Sequence, residues 1–138
     1  MFTPLRFNVR VYGILLHNGH LLVNEEIIQG RKIVKFPGGG MELGEGTVDC
    51  LKREWKEELN LEILRAEHFY TTDFFQQSAF DNSQVLSVYY TILLAEIPEA
   101  IVNTEPNERT YWLPLTSLTE DHFTLPIDKV VAKLLVSR

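Results

Sequence analysis

The sequence has little cysteine and no long apolar run. Its only cysteine, Cys50, rules out an intrachain disulfide. We expect Cys50 to be a small, partly buried filler, and the scarcity of cysteine fits a reducing, cytoplasmic location. No stretch approaches the roughly 20 apolar residues that a membrane-spanning helix needs, and residues 1–10 lack the apolar run of a signal peptide. A membrane is therefore not an expected partner.

Basic residues are scarcer than acidic ones. The chain has 13 Lys and Arg against 19 Asp and Glu, which gives a formal net charge of −6. Binding to a phosphate polymer requires a basic surface, so a nucleic acid polymer is not an expected partner. A small phosphorylated molecule remains a suitable substrate if metal ions offset the negative charge locally.

The length and patterning of the chain predict one globular domain. The 138 residues are 45% hydrophobic and contain no internal repeat or linker, so we expect a single domain over residues 1–138. Asn18-Gly19 predicts a hairpin turn. Alternating or continuous apolar residues predict strands at residues 7–16, 21–23, 33–34, 68–75, 85–97 and 110–113.

Two helices complete the predicted fold. The first spans residues 47–59, with Thr47 as a suitable N-cap and Asn60 where a helix often ends in left-handed geometry. The apolar residues of this helix recur at helical spacing and are Val48, Leu51, Trp55 and Leu59. A second helix is predicted by an apolar stripe of Ile127, Val130, Val131, Leu134 and Leu135. Strands and helices mixed in this way predict the α/β class, with a mixed sheet between helices.

Three carboxylates share one face of the first helix. At about 100° per residue, Glu54, Glu57 and Glu58 fall within an arc of about 100°. Like charges at this spacing repel by roughly 0.2–0.5 kcal/mol per pair, and Glu57 and Glu58 lie at the helix end that disfavours anions. A divalent cation would compensate, because Mg²⁺ prefers carboxylate oxygens and bridges protein to phosphates. A solvated acidic face is the alternative.

A glycine-rich segment leads directly into this helix. It contains Gly38-Gly39-Gly40 and then Gly44-Glu45-Gly46. Glycine lets the backbone approach a ligand closely. A substrate phosphate could therefore lie beside the glycines and share one site with a metal ion bound by the glutamates of the helix. Gly39 and Gly40 are accordingly candidates for substrate binding.

Some residues outside the helix and the glycine segment are further candidates for substrate contact. Arg10 and Lys35 could contact phosphates, with ordinary surface charge as the alternative. Phe74, Phe75 and Phe80 flank a loop on which a base could stack, with core packing or a dimer contact as the alternative. Gln76-Gln77 and Asp81-Asn82 could hydrogen bond a base or a sugar.

The glycine segment and the helix together resemble the signature of the Nudix hydrolase family, G-x5-E-x7-R-E-U-x-E-E-x-G-U, where U is a bulky apolar residue. The chain has, in order, Gly39, Glu45, Arg53-Glu54-Trp55, Glu57-Glu58 and Asn60-Leu61. Asn60 stands where the family has glycine, but asparagine can adopt the same backbone. Trp55 is larger than the usual apolar residue and should fill core space.

The resemblance implies a Nudix-type α/β/α sandwich with a mixed β-sheet. It also implies a pyrophosphohydrolase that cleaves a nucleoside diphosphate linked to another moiety. By their matching positions, Glu54, Glu57 and Glu58 should ligate Mg²⁺ or Mn²⁺. The carbonyl of Gly38 is a further ligand candidate.

Other roles follow from the same resemblance. Glu45 and Arg53 match positions that pair and orient the helix face. Glu54 is also a candidate to deprotonate or position the attacking water. The family often draws its base from a later loop, where Glu105 and Glu108 are candidates.

The sequence indicates the substrate and the oligomeric state less specifically than it indicates the family. A nucleoside triphosphate or a modified triphosphate ranks first, and a nucleotide sugar or ADP-ribose-like molecule second. One alternative is a catalytically inactive Nudix-like domain that senses nucleotides, and another is a structural domain with an accidental glutamate face. The chain retains every acidic residue of the Nudix signature, which favours the enzyme over both alternatives. Symmetric pairing is the default among oligomers, so a homodimer is expected.

Overall fold

The structure, a computed structural model, describes residues 3–137. Two α-helices occur there, α1 at Thr47–Leu59 and α2 at Pro126–Val136. The strands of this part of the chain are β1 Arg6–Ile14, β2 Leu16–His17, β3 His20–Ile28, β4 Arg31–Lys35, β5 Gly38–Gly40, β6 Ile63–Thr71, β7 Ser83–Leu94 and β8 Glu108–Pro114.

The strands form a mixed sheet and an antiparallel sheet. The mixed sheet has the order β5-β1-β7-β6, in which β1 and β7 run parallel and the other two pairs run antiparallel. In the second sheet, β3 pairs with β2 and β4, and it also pairs with β8. These sheets and two helices confirm the α/β class.

Each helix covers a different apolar cluster because strand side chains alternate between faces. Val11 of β1 packs in a cluster with Leu51 and Trp55 of α1. The next residue, Tyr12, packs in a second cluster with Val131 of α2. The α/β/α layering follows from this alternation. Within residues 3–137, neither helix has the length and apolarity that crossing a membrane demands.

Several local predictions are confirmed. Asn18 and Gly19 both have positive φ in the turn between β2 and β3. Asn60 ends α1 in the left-handed conformation, with φ 54° and ψ 38°. Trp55 is 1% exposed and fills core space as expected. Cys50, expected to be partly buried, is fully buried.

Other local predictions are wrong. The N-cap of α1 is Gly46 and not Thr47. The Asp49 carboxylate accepts a hydrogen bond from the Gly46 N–H. The Thr47 hydroxyl does not cap the helix because it is hydrogen bonded to the Tyr90 hydroxyl. In α2 the buried face is rotated from the predicted stripe, so that Leu134 is 39% exposed. The residues of α2 that are buried are Ile127, Asp128, Val131 and Ala132.

The ends of two strands also differ from prediction. β6 begins at Ile63, before the predicted residue 68, and β7 runs from Ser83 to Leu94. The pairing of β6 with β7 shifts register twice. Such irregularities break the alternation on which strand prediction depends.

Candidate active site

Gly39 leaves the space in which the carboxylate of Glu54 lies. A Cβ added to Gly39 would stand 2.4 Å from Cδ of Glu54 and 2.5 Å from its Oε2. At Gly38, a Cβ would stand 2.0 Å from the carbonyl oxygen of Val11, because β5 pairs closely with β1 there. The glycines of β5 therefore let this strand lie against both β1 and the α1 carboxylate.

Arg53 connects the glycine segment to the acidic face of α1. Its Nε and Nη2 donate to the two carboxylate oxygens of Glu45 at 3.0 and 2.7 Å, and Nη2 also donates to the Gly40 carbonyl at 3.0 Å. Nη1 donates to Glu54 at 3.0 Å and to Glu57 at 3.3 Å. The hydrogen bonds from Arg53 are the main reason that the pKa of Glu45 falls to about 2.

A group of carboxylates lies beside this network, and the charge of Lys35 compensates it only in part. Burial raises the pKa of Glu58 well above its usual range, and the neighbouring carboxylates of Glu108 and Glu54 raise it further. Burial also raises the pKa of Glu108. The Oε2 atom of Glu108 is buried and has no hydrogen-bond partner. Crowded carboxylates of this kind favour either a bound proton or a bound cation.

Within residues 3–137, no three His, Cys, Asp or Glu side chains are arranged as ready ligands around one point. The Glu57 side chain is 59% exposed and is paired with Arg53, whereas Glu54, Glu58 and Glu108 interact with one another. The donor set nevertheless fits Mg²⁺ or Mn²⁺ by its chemistry, because it consists of carboxylate oxygens and includes the unpartnered Oε2 of Glu108. The ligand role of Gly38 stays a prediction.

The two base candidates differ in their surroundings. Glu105 is exposed, while Glu108 is partly buried beside Glu58. The loop before β8 is joined to the end of α1 by Thr104, whose N–H donates to the Glu58 carbonyl and whose hydroxyl donates to the Glu57 carbonyl, both at 3.0 Å. The loop is thus tied to the helix that carries the glutamates.

Arg10 and Lys35 lie where the carboxylates meet a cavity of about 320 Å³. Both residues line this cavity. The guanidinium of Arg10 interacts with the carboxylates of Glu54 and Glu26, and Lys35 Nζ lies 2.7 Å from Glu26 Oε1. Lys35 is 5% exposed, so it is not the surface charge considered as the alternative.

The sequence analysis did not identify Asp128, an acid that lies in the cavity wall. This residue is 2% exposed and lines the cavity together with Tyr12 and Tyr89. Its position between apolar residues near the start of α2 is the sequence signal that could have identified it, since acids are rarely buried without a partner. Of the loop candidates, Phe80, Gln76-Gln77 and Asp81 line the cavity. Among the described residues 3–137, the lining does not include Phe74, Phe75 or Asn82.

Comparisons with known proteins agree with this geometry. A profile of the NUDIX domain matches residues 5–134. A MutT structure from work on Aliivibrio salmonicida and Vibrio cholerae is similar at 17% identity and a TM-score of 0.73, over 95% of this chain and 98% of that chain. A MutT NUDIX hydrolase from Burkholderia pseudomallei is similar at 16% identity and a TM-score of 0.76, over 92% of this chain and 96% of that chain.

A third similar structure belongs to a longer protein. This bifunctional NMN adenylyltransferase/ADP ribose pyrophosphatase from Francisella tularensis shares 18% identity with a TM-score of 0.74, over 98% of this chain and 41% of that chain. Identities this low show a shared fold, whereas the profile match covers nearly the whole chain. The chain therefore belongs to the Nudix family, and it is a hydrolase that acts on pyrophosphate bonds.

Proposed function

We propose that this chain is a Mg²⁺- or Mn²⁺-dependent pyrophosphohydrolase that cleaves a nucleoside diphosphate linked to another moiety. A nucleoside triphosphate or modified triphosphate is the first candidate substrate, and a nucleotide sugar or ADP-ribose-like molecule is the second. The observation that carries the proposal is the position of the Glu54 carboxylate, which lies over Gly39, is bonded by Arg53, and interacts with Glu58.

Glu54, Glu57 and Glu58 would hold the metal, with the Gly38 carbonyl as a further candidate. A divalent ion bound there would neutralise the diphosphate and lower the pKa of a bound water. Glu45 would instead hold and orient Arg53, because both of its oxygens accept hydrogen bonds from that guanidinium.

Glu108 is the better of the two loop candidates for the general base. Its Oε2 atom is buried and unpartnered, and the raised pKa of this carboxyl makes it a stronger proton acceptor. Glu105 is exposed but contributes negative charge near Glu108. Glu54 remains a candidate to position the water, since its carboxylate lies closest to the Gly39 backbone.

Arg10 and Lys35 would bind substrate phosphates, and the glycine backbone at Gly39 and Gly40 would allow their close approach. Two observations support this assignment: both cations line the cavity, and they interact with the carboxylates of Glu54 and Glu58. Their charge partly offsets the repulsion between an anionic substrate and the glutamates.

The test is phosphate release, coupled to a phosphatase, from a panel of nucleotides and nucleotide sugars with and without millimolar Mg²⁺. We expect release that depends on the metal. The variant Glu57→Gln should lower turnover by about two orders of magnitude or more, without unfolding the protein, because this side chain is 59% exposed. Glu67→Gln, on the exposed part of β6, is the matched control.

Two outcomes would contradict the proposal. Wild-type turnover in a folded Glu57→Gln protein would remove that residue from the metal site. Binding of nucleotides without turnover, seen as thermal stabilisation, would instead favour the nucleotide-sensing domain. A homodimer and a cytoplasmic location stay predictions, which light scattering and cell fractionation would test.

A further inference from the structure

The indole of Trp55 does more than fill the core between α1 and β1. Its Nε1–H donates a hydrogen bond to the Pro37 carbonyl oxygen at 3.0 Å, and the N–H of Gly13 donates to the same oxygen at 2.9 Å. Trp55 is 1% exposed, and Pro37 is buried as well. A carbonyl oxygen has two lone pairs, so two donors fix the orientation of this peptide group.

Gly13 provides the room for this indole. A Cβ added to Gly13 would stand 2.9 Å from Cε2 of Trp55 and closer still to its Cζ2, so the ring lies directly against the backbone of β1. A leucine or isoleucine at residue 55 would fill part of this space, but an aliphatic side chain has no donor for the Pro37 carbonyl. The hydrogen bond therefore depends on tryptophan at this position.

The peptide group that Trp55 holds comes immediately before Gly38. Backbone hydrogen bonds are formed at both ends of the β1–β5 pairing, from Gly13 to Pro37 and from Met41 to Val9. Because bonded and non-bonded pairs alternate in an antiparallel ladder, Gly38 and Gly40 direct their carbonyls away from β1. The Gly40 carbonyl accepts a hydrogen bond from Arg53 of α1 there. The Gly38 carbonyl thus points to the side from which α1 contacts the strand.

The same hydrogen bond lies beside the proposed metal ligands of α1. Trp55 directly follows Glu54, whose carboxylate lies over Gly39, and Glu58 interacts with Glu54. Trp55 therefore joins the helix that carries these carboxylates to the strand that carries the Gly38 carbonyl. Ligands that come from two elements can reach one ion only if the spacing of those elements is fixed.

We propose that Trp55 is a positioning residue for the metal site. Its hydrogen bond to Pro37 sets the spacing between α1 and β5, and through it the distance between the Gly38 carbonyl and the carboxylates of Glu54 and Glu58. Packing by an aliphatic residue would let the two elements shift. This inference rests on the proposed function, because it assigns what holds two of the proposed ligand-bearing elements in place.

The test measures Mn²⁺ affinity by electron paramagnetic resonance of the free ion, which requires no turnover. Trp55→Phe keeps an aromatic ring and removes the N–H. We expect it to raise the Kd for Mn²⁺ about ten-fold, as is typical when a group that orients metal ligands is lost. Leu51→Ala is the matched control, because Leu51 is fully buried in the same apolar cluster of α1. It opens a cavity there and should bind Mn²⁺ like wild type.

A second replacement separates the hydrogen bond from the volume of the ring. Benzothienylalanine, introduced at residue 55 by stop-codon suppression, has sulfur in place of the indole N–H and keeps a bicyclic ring. We expect it to weaken Mn²⁺ binding as Trp55→Phe does. It is the deciding protein if Trp55→Phe fails to fold.

The outcomes separate this inference from the proposed function. If nucleotides are hydrolysed and the benzothienylalanine protein binds Mn²⁺ like wild type, the inference is wrong and the function stands. Equal loss of Mn²⁺ affinity in Leu51→Ala and Trp55→Phe would also overturn it, because core packing alone would then hold the site. If loss of the N–H weakens Mn²⁺ binding but wild type hydrolyses nothing, the inference stands and the function fails. If wild type does not bind Mn²⁺, both are wrong.

Discussion

Replacing Gly39 by alanine should displace the carboxylate of Glu54, a proposed metal ligand, without unfolding the protein. The new Cβ would lie 2.4 Å from Cδ of Glu54, and ordinary contact begins at 3.4 Å, so the carboxyl group must move by about 1 Å. All three atoms nearest to that Cβ belong to the end of the Glu54 side chain. The side chain can yield by rotation, and the backbone of β5 need not move.

The energetic consequences follow from that geometry. Rotating Glu54 off its preferred rotamer costs roughly 0.5–1.5 kcal/mol, and the lower entropy of the unfolded alanine chain returns roughly 0.4–1 kcal/mol. The free energy of unfolding should therefore stay within about 1 kcal/mol of wild type. Catalysis is far more sensitive, since a displacement of about 1 Å can lower the rate about 100-fold.

The assay is kcat on the substrate found in the panel, together with Mn²⁺ affinity and urea unfolding of the same protein. Two glycines provide comparisons. At Gly40 the nearest atom to a new Cβ is Arg10 Nη1 at 3.5 Å, so Gly40→Ala should lose much less activity. At Gly13 a new Cβ would lie 2.4 Å from the buried Trp55 ring, so Gly13→Ala should lose about 1–3 kcal/mol of stability. Full activity and unchanged Mn²⁺ affinity in folded Gly39→Ala would refute the reasoning.

Two further predictions concern the loop and the buried acid. Thr104→Val removes the hydroxyl that bonds the Glu57 carbonyl and should lower kcat about 5–10-fold. Thr104→Ser keeps the hydroxyl and is the control. Equal kcat values for the two variants would contradict a positioning role for Thr104. The pKa of Asp128 in the folded protein is about 7, which exceeds the value in the unfolded chain. Between about pH 4 and 7 the unfolded state therefore binds fewer protons than the folded state. The free energy of unfolding falls as pH rises through that window. Asp128→Asn should remove this loss of stability, which is at most roughly 4 kcal/mol. Urea unfolding of wild type and of Asp128→Asn at pH 5 and pH 8 measures it. The same pH dependence in the two proteins would refute the prediction.

The parts of the fold that depend on neighbouring residues could be predicted from the sequence. The α1 helix follows from apolar spacing within thirteen residues, and Asn60 ends it by local backbone preference. The Asn18-Gly19 turn needs only positive φ at two adjacent positions. The spacing of Glu45, Arg53 and Glu54 also lies within one short segment, and these three side chains are in contact.

The parts that depend on distant strands could not be predicted. Glu108 comes beside Glu58 because β8 pairs with β3 in a register that sets Glu26 opposite Glu108. The cavity needs β1 and β7 to pair in parallel and α2 to close over them. Asp128 and Tyr89 are far apart in the chain and meet only in that arrangement. No local pattern contains this information.

The contacts of Arg53 have a consequence for how the site is organised. A guanidinium group has five N–H donors, and all five are used in bonds to Glu45, the Gly40 carbonyl, Glu54 and Glu57. No donor is left for a substrate, and a lysine, with three donors, could not replace it. Arg53 therefore binds groups of the protein itself, so the carboxylates that we propose as metal ligands are held in position before any substrate binds. We therefore expect that substitutions in β1, β4 or α2 can change substrate preference while the proposed metal-binding carboxylates stay in place.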